Sequence, residues 1–275
     1  MSRTKKIYRE NGVVTTVYND KEEKFSNPDK KIYLPHELDL AIANHLIGEN
    51  VIIIGMNGYS YLSEEKCRAY GVLPGAYEYA CASFLYGIIM NIKNEFPGAN
   101  IRLVHGSSNV GIDKVIINVA HKLSLGQLGF SCPAYAPYIL KDDGVPVCVL
   151  KNEDAYCNAF TESLDILIGA NGRKVAFSMD IDAVFKKFKH VIPINIIQAI
   201  SSTGGPPGLN ENGEVEDAVA LYFERMHSVY TDMFRVGSVG WETVVDNAQK
   251  IVRDICRVQL HPSIAYNYSP HLKNW

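Results

Sequence analysis

The chain has 275 residues, 47% hydrophobic and 21% charged, enough apolar material for a large folded core and too much for a disordered chain. Its formal charge of −3 and scattered lysines and arginines disfavour a nucleic-acid partner, because neutralising phosphates supplies most of that affinity. Six cysteines without a CxxC pair or zinc-ligand spacing read as free thiols in a reducing compartment. With no apolar leader after Met1 and no apolar run of membrane length, the expected location is cytoplasmic, without a membrane partner.

In chain order, residues 1–34 read as an N-terminal hairpin element. Lys6 to Arg9 and Val13 to Tyr18 flank Asn11-Gly12, a dipeptide suited to two successive left-handed residues, and Ser26 to Asp29 closes the element with turn chemistry. A helix is expected at about 36–47. From Val51 strands and helices alternate. Val51-Ile52-Ile53-Ile54 reads as a doubly buried strand ending at Gly55, and 78–95 as a helix stopped by Pro97-Gly98. Ile101 to Val104 is a second buried strand. The helix expected at 113–124 carries Val115, Ile116, Val119, Ala120 and Leu123 on one stripe. Further strands are expected near 127–131, 146–150, 164–168 and 190–196, with helices near 154–162 and 179–188. This rhythm predicts an α/β protein, a Rossmann-like parallel sheet flanked by helices, over residues 35–200. The Gly/Pro-rich run Ser201 to Gly208 then opens a C-terminal helical extension, 201–275, with helices near 214–234 and 240–258 that offer a homodimer surface or a cap on the sheet.

The segment from Val104 to Lys114, VHGSSNVGIDK, joins a buried strand to an amphipathic helix through a loop of small residues. A helix N-terminus presents unpaired amides and partial positive charge to an anion, and the carboxyl end of a parallel strand is where open α/β sheets place ligands. Gly106 and Gly111 permit close backbone approach, while Ser107, Ser108 and Asn109 add short polar side chains. The bland alternative is a capped turn, with Asp113 or Asn109 satisfying the first amides of the helix.

The same segment resembles the "HGGAxGxD" strand–loop–helix of the YspA-like branch of the SLOG superfamily, which also holds the LOG phosphoribohydrolases and the DNA-binding protein DprA. Ile52 to Gly58 resembles that family's first strand and glycine turn, and Ser163 to Gly172 its "sDaviaxxGG" strand and second glycine loop. The resemblance covers roughly residues 50–197 and implies glycine loops that face a nucleotide or NAD-derived molecule. By matching position, it implies ligand contacts at Gly55, Asn57, Gly58, Gly106, Ser107, Ser108, Gly111, Asp113, Gly169, Asn171 and Gly172. His105, Asn109 and Arg173 join them as candidates from their places beside the loops, His105 as a neutral hydrogen-bonding group on the pocket floor or a structural histidine. Asn57 and Asn171 would meet a base or ribose, or serve turn chemistry.

LOG hydrolases carry a Pro-Gly-Gly-x-Gly-Thr-x-x-Glu loop; this chain reads Gly169-Ala170-Asn171-Gly172-Arg173-Lys174 and lacks the glutamate. N-glycosidic cleavage needs such a carboxylate. Asp180 and Asp182 come too late, and Glu78 and Glu162 are weak substitutes, so no catalytic residue is assigned. No metal site and no resident cofactor is expected. Tyr59, Tyr61, Tyr135 and Tyr138 flank strand ends, where a ring could stack on a base or pack in the core. The expected function is a nucleotide-ligand sensor or sequestering module. A LOG-like nucleotide N-glycosidase with a displaced carboxylate is the alternative, and a single-strand DNA binder a third.

Overall fold

A computed structural model describes residues 5–25, 31–139, 144–173, 176, 190–203, 217–221 and 240–260. Two sheets organise them. The smaller is antiparallel: β1 (Lys5–Glu10), β2 (Val13–Tyr18) and β3 (Lys21–Phe25), in that order. Asn11 and Gly12 both take positive φ (49° and 78°), as the first turn requires. Asn19 and Asp20 do the same (51° and 61°) and add β3, a charged strand that the hairpin expectation did not include.

The larger sheet has seven strands, all parallel, in the order β10-β9-β5-β6-β7-β8-β4. These are β4 (Ile32–Tyr33), β5 (Val51–Gly58), β6 (Asn100–His105), β7 (Gly126–Ser131), β8 (Val147–Val149), β9 (Ile166–Ala170) and β10 (His190–Ile194). The helices are α1 (Leu38–His45), α2 (Glu64–Ala69), α3 (Ala76–Glu95), α4 (Gly111–Lys122), α5 (Glu153–Ser163), α6 (Ile196–Ile200) and α7 (Trp241–Leu260). The helix expected at 179–188 lies outside the described residues, as does all but 217–221 of that expected at 214–234.

Each helix face follows from its apolar spacing. On α3, Tyr77, Cys81, Phe84, Leu85, Ile88, Ile89 and Ile92 recur at helical intervals and are all buried. With α4, α6 and α7 they cover one face of the sheet, against Ile52, Ile54, Leu103, Ile166, Ile168 and Ile192. The other face carries Val104, Leu128, Phe130 and Leu167 and is covered by α1 and α5, through Ala41, Ala159 and Phe160. Val14 and Phe25 of the small sheet pack on Ile32, Val147 and Val149 near the β4 edge.

β5 is longer than its β-branched run implies. β6 pairs with its first half, Val51 to Gly55, and β9 with its second, Ile54 to Gly58. The ladder to β9 therefore carries β5 through the glycine turn expected at Gly55 to Gly58, and the chain leaves the sheet at Tyr59. From β5 the chain winds through β6, β7 and β8 on one side, then returns to lay β9 and β10 on the other. The winding reverses between β5 and β9, the kind of point where doubly wound sheets open a crevice at their carboxyl edge.

Candidate functional site

β6 ends at His105, whose ring is buried. Its Nδ1 accepts the Ser107 amide (3.0 Å), so Nε2 carries the proton and donates to Gln127 Oε1 (3.1 Å). The histidine thus orders the interior of the loop and is not on a pocket floor. The next amides are likewise taken. Gly106 N donates to Asp113 Oδ1 (2.7 Å) and Ser108 N to Asp113 Oδ2 (3.2 Å). Asn109 N donates to the Tyr138 carbonyl (2.8 Å) and Ile112 N to the Tyr59 carbonyl (3.3 Å).

The expectation of bare amides facing a phosphate is therefore corrected at Gly106 and Ser108: a carboxylate from the first turn of α4 reaches back and takes both. Gly106 is what admits it, since a Cβ there would lie 2.6 Å from Asp113 Oδ2 and 2.9 Å from the Tyr156 hydroxyl. Burial pushes the Asp113 carboxyl up to about 6, against the two amides that favour its charged form. Gly111 takes φ +57° and lies directly under the Ser60 carbonyl, leaving no room for a side chain. Ser107, at φ +62°, turns its side chain inward against Gly129.

At the switch point a second buried network closes the gap between β5 and β9. The Tyr77 hydroxyl donates to the Ala170 carbonyl and accepts the Tyr59 amide (3.0 Å), and a Cβ on Gly58 would strike that hydroxyl. Asn171, buried at φ +63°, donates from Nδ2 to Asn195 Oδ1 (2.9 Å) and Asp217 Oδ2 (3.1 Å), and its Oδ1 accepts the Ile197 amide (3.0 Å). The Tyr59 hydroxyl donates to Asp217 Oδ2 (3.2 Å). Asp217 also caps the amides of Val219 (3.0 Å) and Ala220 (3.1 Å), while Ala218 N donates to the Gly172 carbonyl (2.9 Å). Burial raises the Asp217 carboxyl and the Tyr59 and Tyr77 phenols above their ordinary ranges. Asn57 is buried and donates to the Ala176 carbonyl (3.2 Å).

The structure thus gathers the expected residues into two groups: His105, Gly106, Ser107, Ser108, Asn109, Gly111 and Asp113 at the end of β6, and Asn57, Gly58, Asn171, Gly172 and Arg173 at the ends of β5 and β9. Gly55 and Gly169 fall inside strands and belong to neither loop. Gly55 instead makes room for α5, a Cβ there lying 2.9 Å from Leu164 Cδ2 and 3.1 Å from Phe160 Cζ. Tyr77, Asn195 and Asp217 were not anticipated; no fixed spacing links them to the glycine loops.

What this edge turns outward is aromatic. Of the four tyrosines at strand ends, Tyr59 is buried, whereas Tyr61, Tyr135 and Tyr138 are 61%, 40% and 56% exposed. Exposed Val110 lies on the intervening loop. The loops after β5, β6 and β7 are tied side by side through the Tyr59 and Tyr138 carbonyls, so these groups stand on adjoining loops. The Arg173 side chain is exposed at the end of β9. Glu78 sits in the first turn of α3, beside Tyr77. Glu162 is exposed near the end of α5, which returns the chain to the opposite edge of the sheet.

No family model and no curated protein sequence matches the chain. Among solved structures it is similar to the molybdenum cofactor carrier protein of Chlamydomonas reinhardtii, at 17% identity, 51% of this chain, 74% of that one and a TM-score of 0.37. It is also similar to TM1055, at 13% identity, 56% of this chain, 76% of that one and a TM-score of 0.39. The molybdenum cofactor binding protein of the phototrophic bacterium Rippkaea orientalis matches at 18% identity, 53% of this chain, 76% of that one and a TM-score of 0.36. Similarity of this degree assigns neither a family nor a ligand. No helix among the described residues is long and apolar enough to cross a membrane.

Proposed function

We propose that the protein binds a nucleotide or NAD-derived small molecule at the carboxyl edge of its parallel sheet and acts as a sensor or sequestering module. The observation that carries this reading is the set of exposed rings, Tyr61 on the loop after β5 and Tyr135 and Tyr138 on the loop after β7, on either side of the loop after β6. Each ring contributes a flat apolar face, and stacking a base on such a ring is worth about 1–3 kcal/mol. Exposed Arg173 supplies a guanidinium for a phosphate or ribose oxygen at the β9 end of the same edge.

A binder is favoured over an N-glycosidase because the two aspartates at this edge among the described residues are already committed. Asp113 accepts two backbone amides, and Asp217 accepts two amides, a phenol and a carboxamide. Neither is placed to stabilise an oxocarbenium-like transition state. Native mass spectrometry of the purified protein, before and after denaturation, tests the reading. A co-purifying heteroaromatic ligand released on unfolding is expected. Incubation with nucleoside monophosphates and NAD should release no base; turnover would establish the hydrolase instead.

A further inference from the structure

We propose that Asp113 is a specificity-determining residue: it is the resident anion of the loop after β6 and excludes a ligand phosphate from that loop. A carboxylate and a phosphate make the same demand on a backbone turn, acceptor oxygens placed against converging N–H groups. Here the two Asp113 oxygens already hold Gly106 N and Ser108 N, and each amide has one proton to give. The amides of Ser107, Asn109 and Ile112 are spent on the His105 ring and on the carbonyls of Tyr138 and Tyr59. Gly106 therefore lacks a Cβ for the sake of Asp113, not for the approach of a ligand.

Among the described residues no lysine or arginine pairs with Asp113, so its charge is met there by backbone amides and not by a counter-ion. A second anion at the same loop would meet like charge as well as occupied donors. The preferred ligand consequently lays its planar part over Tyr61 and Tyr138 and directs any phosphate away from β6, towards Arg173. The identity of the ligand so steered rests on the functional reading above; the occupancy of the loop does not.

The test uses inorganic phosphate as probe and the backbone amide NMR signals of Gly106 and Ser108 as readout. In the wild-type chain, millimolar phosphate should leave both signals in place. In Asp113→Ala the loop is vacated, and both should move saturably, with phosphate affinity raised at least about tenfold. Asp113→Asn, nearly isosteric and uncharged, should show the movement at Ser108 and serves if the alanine variant does not fold. Saturable movement of these signals in the wild type, or none in a folded variant, would overturn the assignment. Failure of AMP, adenosine and NAD to bind the wild type, by contrast, would sink the functional reading and leave the phosphate result standing.

Discussion

The loops that end β6 and β9 meet the same difficulty, since both leave a parallel strand with backbone groups to satisfy and both resemble ligand-binding glycine turns. Each solves it with an aspartate, but from different distances. At β6 the acid is Asp113, seven residues beyond Gly106, and it takes backbone amides alone. At β9 it is Asp217, 46 residues beyond Asn171, and it joins the Tyr59 phenol and the Asn171 carboxamide to the amides of its own segment. The first is a local cap that shapes one loop. The second is a tertiary clasp that holds β5, β9 and the segment at 217–221 together. Asp217 should therefore matter chiefly for stability, and Asp113 for what the edge will accept.

The largest effect expected from this contrast is at Asp217. Asp217→Ala strips the acceptor from four donors in a buried setting and should cost about 4 kcal/mol in urea unfolding. A loss no greater than that of a surface substitution would show that the clasp is not a unit.

Asp113→Asn should have a smaller effect, visible mainly in its pH dependence. Because burial lifts the folded carboxyl from 3.8 to about 6, the native state holds this proton more tightly than the unfolded chain does. Its contribution to wild-type stability is thus full below about pH 4, declines as pH rises towards 6, and stays low above that. The wild-type minus variant difference should fall by about 2 kcal/mol across that window, since one bound proton is worth about 1.4 kcal/mol per pH unit and partial contact with solvent reduces the total. Equal pH profiles for the two chains would place Asp113 in water.

The rings should matter least for folding. Tyr61→Ala and Tyr138→Ala remove exposed side chains and should leave unfolding free energies within about 0.5 kcal/mol of wild type. A larger loss would make these rings packing elements and remove them from the ligand surface.

How much of this was legible in the sequence follows from the same contrast. The parallel sheet was, because short apolar runs such as Val51 to Ile54, and Ile101 to Val104 broken only by Arg102, alternate with helical spacing and suit strands covered on both faces. The reach of β5 was not, because Gly55 reads as a stop and only the ladder to β9 extends the strand to Gly58. The charged run Lys21 to Phe25 gave no sign of β3, which exists because the turn at Asn19-Asp20 lays it against β2. At the site, Asp113 stood at a helix start, and capping by it was one of two readings available from local spacing. Choosing between them needed the distances. The roles of Tyr77, Asn195 and Asp217 were hidden, since packing and not sequence proximity brings them to Ala170, Asn171 and Tyr59.

The most direct test of the ligand surface is a calorimetric titration of AMP and NAD into the wild-type chain and a Tyr61→Ala/Tyr138→Ala double variant. The account predicts saturable binding of at least one of them to the wild type and a loss of about tenfold or more in the folded double variant. Equal affinity in both proteins would contradict it.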